Sequence, residues 1–301
     1  MDEDVIVVGG SFAGLSAAMQ LARARRRVLI VDGGQPRNRF AKASHGFFGL
    51  DGRPPLKMIE TARKQVLAYP TVRFEKGEAI RATQEGQGFS ITLSSGATIG
   101  AKRLILATGI TDILPNVPGL KELWGVGVAH CPYCHGYEVA GRKLAVLMPK
   151  ENPNIHQAIL LRDWSDDITL LTNGAPAPIG ADAEHLHQRG IRVDTQQIVR
   201  AIGRGKELEA IEFADGQRTP YDALFTATRW TLSSPLAEQL GCELDTSGAG
   251  PIVKTDPMKE STIPGVFVAG DAARLYSNAT MASADGVMAG TVAHRSLILG
   301  V

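Results

Sequence analysis

The sequence has few cysteines, few aromatic residues and no excess of charge of either sign. Three of its 301 residues are cysteines, and 6% are aromatic. Three cysteines cannot build a disulfide scaffold for a chain of this length, which excludes a small secreted disulfide-rich protein. With 32 basic and 31 acidic residues, the formal net charge is +1. Global charge therefore favours neither nucleic acid nor an anionic membrane as a partner.

Long apolar runs are also missing. No run reaches the roughly 20 residues that a membrane-spanning helix needs. The chain starts with Met1-Asp2-Glu3-Asp4, where a secretory signal would be basic. We therefore expect a cytoplasmic protein. The composition is otherwise that of a folded protein, with 44% apolar and 21% charged residues, and the length predicts about two domains.

A strand–turn–helix–strand pattern opens the chain. Residues 5–8 predict a buried parallel strand, residues 15–25 predict a helix, and residues 28–31 predict a second strand that leads into Asp32. The turn reads Gly9-Gly10-Ser11-Phe12-Ala13-Gly14. An acidic residue about 20 positions beyond such glycines is typical of dinucleotide-binding folds.

Each position of this turn has a physical reason. Gly9 permits the tight turn, and Gly14 lets the helix pack close to the strand. The helix N-terminus directs backbone amides and a positive dipole end at a pyrophosphate, while Asp32 accepts hydrogen bonds from a ribose diol. Ser11 stands where a middle glycine is usual, and its small side chain is compatible with the same role.

The next part of the chain continues this first unit. Residues 72–100 alternate polar and apolar side chains and predict a small antiparallel meander. Residues 104–109 predict another buried strand that ends in glycine, after which Pro115 and Pro118 break the chain and suggest a linker.

A second, similar unit follows. It has a hairpin signal at Asp215-Gly216 and predicted elements at 144–148 (strand), 155–163 (helix), 168–171 (strand) and 224–228 (strand). A strand at 265–271 and a helix at 281–299 then complete the first unit.

The sequence therefore predicts an α/β fold with two tandem dinucleotide-binding domains, Rossmann-like and three-layered (ββα), the second inserted into the first. The first domain would comprise residues 1–114 and 231–301, and the second would comprise residues 115–230.

A CxxC pair lies in this second domain. Cys131 and Cys134 are either a redox disulfide or half of a zinc site. Zinc needs about four ligands, but the sequence has no second CxxC, and His130 and His135 are too close in sequence to complete a site comfortably. We therefore predict a redox pair and no metal. Pro132 suits the first turn of a helix, whose N-terminus lowers the pKa of a thiol.

Together these signals resemble the thioredoxin reductase-like flavoprotein disulfide oxidoreductases over nearly the whole chain. The signals are the first glycine turn with Asp32, the strand end at 107–109, the CxxC pair and the segment 265–271. Ordinary thioredoxin reductases have Asp after the second cysteine. Here the run is Cys134-His135-Gly136-Tyr137-Glu138, which is similar to a branch of gliotoxin- and holomycin-type dithiol oxidases and pyridine-nucleotide-independent relatives, as is Ser44-His45-Gly46-Phe47.

The resemblance implies FAD as cofactor and a homodimer. Its implied FAD-binding residues are Gly9, Ser11 and Gly14 at the pyrophosphate, Asp32 at the adenosine ribose, Asp271 at the ribityl–phosphate region, and the strand-end glycines Gly109 and Gly270.

The resemblance also implies roles for the dithiol. Cys134 would lie next to the flavin, and Cys131 would exchange with the substrate sulfur. His135 is a candidate general acid/base because histidine titrates near neutral pH, and the alternative is a histidine that only caps or packs. Glu138 and His45 are weaker candidates. Cys242, far from the pair, is predicted to be a core residue without a role.

The second unit lacks the features of a pyridine-nucleotide site. No glycine follows the predicted strand 144–148, where the sequence reads Pro149-Lys150-Glu151-Asn152-Pro153-Asn154. Asn152 and Pro153 instead predict a helix cap and a first-turn proline. Residues 172–176 contain no basic residue for a 2′-phosphate. NADPH is therefore doubtful as electron donor, although Lys150 could offset one phosphate charge and permit weak binding.

The predicted function is an FAD-dependent dithiol/disulfide oxidoreductase that acts on a thioredoxin-like protein or a small dithiol. Reduced ferredoxin, oxygen or a second flavin in the altered cleft are alternative electron partners. Two other functions remain open, an NADPH-dependent thioredoxin reductase and a non-catalytic flavin redox sensor.

Overall fold

The computed structural model describes residues 3–151 and 153–300, which form two compact units. The first unit consists of the described residues in 1–39, 47–111 and 230–301, and the second of those in 40–46 and 112–229. The short segment 40–46 therefore belongs with the second unit, although its sequence position suggested the first.

The strands of the described chain are β1 Glu3–Val8, β2 Val28–Asp32, β3 Val72–Lys76, β4 Ala79–Glu85, β5 Gly88–Leu93, β6 Thr98–Leu106, β7 Ile110–Ile113, β8 Val128–Ala129, β9 Leu144–Leu147, β10 Ile168–Leu171, β11 Arg192–Asp194, β12 Ile198–Arg204, β13 Glu207–Phe213, β14 Arg218–Pro220, β15 Ala223–Thr226, β16 Arg229–Leu232, β17 Leu244–Asp245, β18 Ile252–Val253 and β19 Val266–Val268. The α-helices are α1 Phe12–Arg23, α2 Pro55–Leu67, α3 Leu120–Leu123, α4 Pro132–His135, α5 His156–Leu161, α6 Ala181–Gln188, α7 Leu236–Gln239 and α8 Ala279–Leu299. Short 3₁₀ helices lie at Arg37–Phe40, Tyr137–Val139 and Gly270–Ala273.

A parallel sheet with the order β3-β2-β1-β6-β19 forms the centre of the first unit. The strand β6 is long enough to pair with both the parallel strands and the antiparallel strands of this sheet. Its C-terminal half pairs in parallel with β1 and β19, and its N-terminal half pairs antiparallel with β5, which in turn pairs with β4. The predicted strand at 104–109 is therefore the second half of β6.

The prediction of one antiparallel meander over residues 72–100 is wrong in its first strand. Residues 72–76 form β3, which pairs in parallel with β2 at the edge of the main sheet. Only Val72 is buried in β3. An edge strand with this pattern shows the same alternation as a meander strand, so periodicity could not distinguish the two.

Alternating side chains of β1 build the three layers of the first unit. Val5 and Val7 pack into the core beneath α1 and α8. Ile6 and Val8 point to the other face and pack into the core beneath β4 and β5. The layers are thus helices, parallel sheet and antiparallel meander, as the ββα prediction requires.

The packing of α1 against α8 depends on two glycines. A Cβ on Gly286 would lie 2.0 Å from the carbonyl oxygen of Ala13, and one on Gly290 would lie 2.5 Å from that of Ala17. Only glycine permits such an approach. It places α8 directly beside the first turn of α1.

The second unit repeats this architecture. A parallel sheet has the order β11-β10-β9-β15-β8, and β12, β13 and β14 form an antiparallel meander. The predicted hairpin at Asp215-Gly216 joins β13 to β14, and Gly216 has a φ of +84°. The fold class predicted from the sequence, two similar units with the second inserted into the first, is confirmed.

The start of α5 differs from its prediction. The helix begins at His156 with Ile155 as its N-cap residue. Pro153 therefore lies before the helix rather than in its first turn, and Asn152 lies outside the described residues. Within residues 3–151 and 153–300, no helix combines the length and the apolarity needed to cross a bilayer.

Candidate functional site

The first turn of the chain has the close approaches that the glycine pattern predicts. Gly9 follows β1 with a φ of +107°, and a Cβ there would lie 2.2 Å from the carbonyl oxygen of Ala107. A Cβ on Gly14 would lie 1.8 Å from the carbonyl oxygen of Gly9. Ser11 has a φ of −101°, which any L-residue adopts, so its replacement of a glycine creates no backbone strain.

Asp32 lies against this turn. Its Oδ1 accepts a 3.0 Å hydrogen bond from the backbone N–H of Gly10. A Cβ on Gly10 would lie 2.8 Å from both Cβ and Cγ of Asp32. Gly10 was not predicted as a site residue. Its place beside Gly9 in the glycine run was the available signal.

The segment from Gly270 to Ser277 forms the neighbouring wall. Gly270 has a φ of +78° and opens the 3₁₀ helix that carries Asp271, and a Cβ there would lie 3.0 Å from that of Ala13. Arg37 Nη1 donates to Oδ2 of Asp271 at 2.9 Å, and the Ser277 hydroxyl donates to Oδ1. Sequence reasoning did not find Arg37, whose partner is 234 residues away.

We call residues 9–14 together with Asp32, Gly270 and Asp271 the cradle. Its chemistry fits the pyrophosphate and ribose of FAD. The first turn of α1 contains no acidic residue, and the Ser11 side chain makes no capping hydrogen bond, so neither competes for the amides at the helix start. Oδ2 of Asp32 has no protein partner within the described residues, which leaves it available to a ribose hydroxyl.

Gly109 belongs to the same unit but is not part of the close contacts of the cradle. It has a φ of +69°, and no atom lies within 4 Å of the position of a Cβ. Its carbonyl accepts a 3.2 Å hydrogen bond from the N–H of Ser233.

In the second unit, Cys131 and Cys134 form a disulfide with a Cα–Cα distance of 5.3 Å. Cys131 is the N-cap residue of α4, and Pro132 occupies the first turn, as the sequence predicts. Both cysteines are half-buried.

Residues in and after α5 support the helix that bears this disulfide. Gln157 Nε2 donates to the carbonyl of His130 at 2.7 Å. The ring of Trp164 meets Tyr133 edge-on with centroids 5.4 Å apart. A Cβ on Gly136 would lie 2.6 Å from the carbonyl oxygen of Pro132 and 3.0 Å from the ring of Trp164, so a larger residue there would force this packing to shift.

His135 is the least satisfied polar side chain near the disulfide. Both of its ring nitrogens are buried and lack a hydrogen-bond partner within the described residues. Burial lowers the pKa of His135 below its ordinary value of 6.5. The Cys131 backbone and the Glu138 carboxylate act in the opposite direction but do not outweigh burial. His135 is therefore neutral near pH 7 and can accept a proton.

His45 and Glu138, the two weaker candidates for a role in proton transfer, lie next to each other. His45 Nε2 and Glu138 Oε1 are 3.3 Å apart and form an ion pair when His45 is protonated. Both influence the charge of His135, since Glu138 raises and His45 lowers its pKa. The segment 40–46 thus adds a titratable group to the unit that carries the disulfide.

The loop after β10 is engaged with its own chain. Asn173 has a φ of +52°, and its Oδ1 accepts hydrogen bonds of 2.8 Å from both the N–H of Ile198 and the side chain of Gln197. A Cβ on Gly174 would lie 2.6 Å from Oε1 of Gln197. Thr172 donates to the carbonyl of Ala175. The side chains of Thr172 and Asn173 are therefore already hydrogen-bonded within the chain, and the loop has no basic residue.

Cys242 lies in the core of the first unit, as expected for a cysteine without a role. It is buried, and burial raises the pKa of its thiol. No group of three or more His, Cys, Asp or Glu side chains among the described residues has the arrangement of a metal site.

The chain is similar to known proteins over nearly its whole length. The family described as pyridine nucleotide-disulphide oxidoreductase matches residues 3–147 and 167–286. The curated "Thioredoxin reductase tcpT" of Claviceps purpurea is 32% identical over 98% of this chain and 94% of its own length. A crystal structure of an oxidoreductase from Agrobacterium tumefaciens is 42% identical, covers both chains completely and superposes with a TM-score of 0.93. A putative thioredoxin reductase from Bacillus anthracis is 28% identical over 99% of both chains, also with a TM-score of 0.93.

Proposed function

Because the chain belongs to the pyridine nucleotide-disulphide oxidoreductase family and is thioredoxin reductase-like within it, we propose that it is an FAD-dependent dithiol/disulfide oxidoreductase that does not use NADPH. The pair Cys131–Cys134 exchanges electrons with the flavin and with a thioredoxin-like protein or a small dithiol. The surroundings of this disulfide support the proposal most directly. The disulfide is half-buried, and next to it lies the neutral His135, whose ring nitrogens have no hydrogen-bond partner within the described residues. In the same unit, the turn after β9, where a nucleotide would bind, contains no glycine.

The cradle would hold the FAD. The amides at the start of α1 would bind the pyrophosphate, Asp32 the adenosine ribose, and Asp271 the ribityl–phosphate region. Bound FAD would supply the two-electron acceptor or donor that the cysteine pair lacks.

Oxidation of a substrate dithiol proceeds by two exchange steps. A substrate thiolate attacks Sγ of Cys131, the Cys131–Cys134 bond breaks, and Cys134 leaves as a thiolate. The second substrate thiolate then attacks the substrate sulfur of this mixed disulfide and releases Cys131. The substrate loses two electrons and two protons, and the cysteine pair gains the two electrons. Reduction of a substrate disulfide follows the same steps in reverse.

His135 accepts a proton during these steps. Its lowered pKa keeps it neutral at the pH where the substrate thiol must be deprotonated. Both of its ring nitrogens are buried, so a movement that exposes one of them must accompany the proton transfer. Glu138 raises the pKa of His135 and His45 lowers it, so the two side chains adjust its basicity in opposite directions.

Several features support independence from NADPH. The turn after β9 contains prolines where a pyrophosphate would need close backbone approach. Asn173 and Gln197 bond to each other in the loop where a 2′-phosphate would need cations. Gln157 in α5 and Trp164 after it instead support the disulfide helix. The family match leaves out residues 148–166, the segment that contains this turn and helix.

The flavin then exchanges electrons with one of three partners. Reduced ferredoxin could donate electrons, oxygen could accept them after dithiol oxidation, or a second flavin in the altered cleft could relay them. We also propose that the protein is cytoplasmic and acts as a homodimer. Light scattering of the purified protein would test the dimer.

Anaerobic titration of the FAD-loaded protein tests the proposal. NADPH, NADH, reduced ferredoxin and dithiothreitol are added separately while the flavin absorbance is followed. We expect dithiothreitol to bleach the flavin and stoichiometric NADPH to leave it yellow within a catalytic time. Bleaching by NADPH would overturn the independence from nicotinamide, and a protein that binds no FAD would overturn the whole proposal.

An NADPH-dependent thioredoxin reductase is the second candidate. The complete five-stranded parallel sheet of the second unit favours it, because this is the scaffold of a nucleotide site. Lys150 in the turn after β9 could offset one phosphate charge. A non-catalytic flavin sensor is less favoured, because a scaffold has no need of the intact pair Cys131–Cys134.

A further inference from the structure

A buried carboxylate in α8 holds two cations in the first unit. The side chain of Asp285 is 2% exposed. Arg274 donates to it through two nitrogens, Nε to Oδ2 at 2.6 Å and Nη2 to Oδ1 at 2.7 Å. Lys259 Nζ lies 2.9 Å from Oδ1. Burial alone would raise the pKa of Asp285, but the hydrogen bonds from the two cations outweigh it and hold the pKa below its ordinary value.

The position of Asp285 in its helix makes this cluster unusual. The buried positions of α8 otherwise carry alanine, glycine or serine: Ala282, Gly286, Ala289, Gly290, Ala293 and Ser296. A charge in such a stripe is costly unless it is paired, and apolar residues of similar volume often give equal or greater stability. The stability of the folded chain therefore does not explain why α8 carries a carboxylate at this buried position.

The partners of Asp285 connect the two walls of the cradle. Arg274 directly follows the 3₁₀ helix Gly270–Ala273, and its N–H donates to the carbonyl of Asp271 at 3.4 Å. Gly286, the neighbour of Asp285, packs against Ala13 in the first turn of α1. The bidentate pair of Arg274 and Asp285 therefore fixes the turn that carries Asp271 relative to the helix start that would bind the pyrophosphate.

We propose that Asp285 is a positioning residue for cofactor binding, which acts through Arg274 to hold the Asp271 side of the cradle. The inference rests on the proposed function, because it assumes that the cradle binds FAD. Arg274 suits this task because its planar fork fixes both the distance and the orientation of the carboxylate.

Binding of FAD to the apoprotein tests the inference through a property other than activity. Asp285→Asn removes the charge at nearly constant volume, and Arg274→Met removes the fork while Asp285 keeps Lys259. The matched control is Asp4→Asn. Asp4 is also buried and paired, with Lys102 Nζ at 3.0 Å and the N–H of Arg27 at 3.1 Å, but it lies near the start of β1, at the opposite end from Gly9.

The dissociation constant for FAD is measured by quenching of flavin fluorescence, after circular dichroism has confirmed that each apoprotein is folded. We expect Asp285→Asn and Arg274→Met to weaken FAD binding about tenfold or more, and Asp4→Asn to stay within about twofold. If Asp285→Asn does not fold, Arg274→Met decides.

Three results would overturn either this inference or its premise. Wild-type affinity in both Asp285→Asn and Arg274→Met would refute the positioning role and leave the proposed function intact. Equal weakening in all three variants would show a general effect of stability and would also refute it. Failure of the wild-type apoprotein to bind FAD would refute the proposed function itself.

Discussion

The backbone N–H of Gly10 donates a 3.0 Å hydrogen bond to Oδ1 of Asp32. This bond joins the turn after β1 to the end of β2, so the residue expected to bind the ribose is fixed by the turn expected to bind the pyrophosphate. The approach is possible because residue 10 has no side chain. Gly10 therefore contributes to the cradle through its backbone N–H and its lack of a side chain, although it has no functional group of its own.

Gly10→Ala should weaken FAD binding about tenfold or more. The new Cβ would lie 2.8 Å from Cβ and Cγ of Asp32, so the carboxylate must move away. The measurement is the dissociation constant of FAD from the apoprotein. Gly77→Ala is the control, because Gly77 also bonds to Asp32, through its N–H to the backbone carbonyl, but has open space at the Cβ position. Equal affinities of wild type and Gly10→Ala would contradict this account of the turn.

The rate of dithiol oxidation should depend on His135 with an acid limb below pH 6.5. Because burial lowers the pKa of His135, the base stays neutral to a lower pH than an ordinary histidine. The wild type should therefore keep more than half of its plateau rate at the ordinary pKa of 6.5. His135→Asn should lower the plateau about a hundredfold and remove the limb.

The measurement is the anaerobic rate at which dithiothreitol reduces the cysteine pair, followed over a pH series. An unchanged acid limb in His135→Asn would assign the titration to another group, and His135 would then be a packing residue.

Asp285→Asn should lower the free energy of unfolding of the apoprotein by about 3–5 kcal/mol at neutral pH, because it leaves Arg274 and Lys259 without their buried counter-charge. The folded pKa of Asp285 is lowered from 3.8. Its contribution to stability is therefore complete above the unfolded pKa and is lost as the pH falls through the folded one.

Urea unfolding from about pH 5 to about pH 3 should then show a steeper loss of stability in the wild type than in Asp285→Asn. Parallel pH dependences in the two proteins would mean that folding does not change the pKa of Asp285, which contradicts its pairing with Arg274 and Lys259.

Local pattern was sufficient to predict most of the scaffold. The glycine turn with β1, α1 and β2, the strand at Ile168–Leu171, the hairpin at Asp215-Gly216 and Pro132 in the first turn of α4 depend on residues adjacent in sequence. Such features follow from the preferences of a few neighbouring side chains.

The parts that could not be predicted depend on contacts between distant residues. Arg37 meets Asp271 across 234 positions, and segment 40–46 packs with the second unit. Sequence alone does not show such pairings. Asp285 offered one usable signal, since a carboxylate within a helical stripe of small residues requires a buried cationic partner.

The state of His135 was equally out of reach from sequence. Its type and its place after Cys134 suggested an acid/base role, but they left a packing role open. The burial of both ring nitrogens without a partner in the described chain is a property of three-dimensional packing. This burial lowers the pKa of His135 and keeps the ring neutral near pH 7, the state in which an imidazole can accept a proton.

The central claim is that the flavin exchanges its electrons with Cys131 and Cys134. The most direct test is the anaerobic flavin absorbance of FAD-loaded wild type and Cys134→Ser after addition of dithiothreitol. We expect the wild type to be bleached and Cys134→Ser to stay yellow, because a lone Cys131 thiol cannot carry an electron pair as an intramolecular disulfide does. Bleaching of Cys134→Ser at the wild-type rate would contradict it.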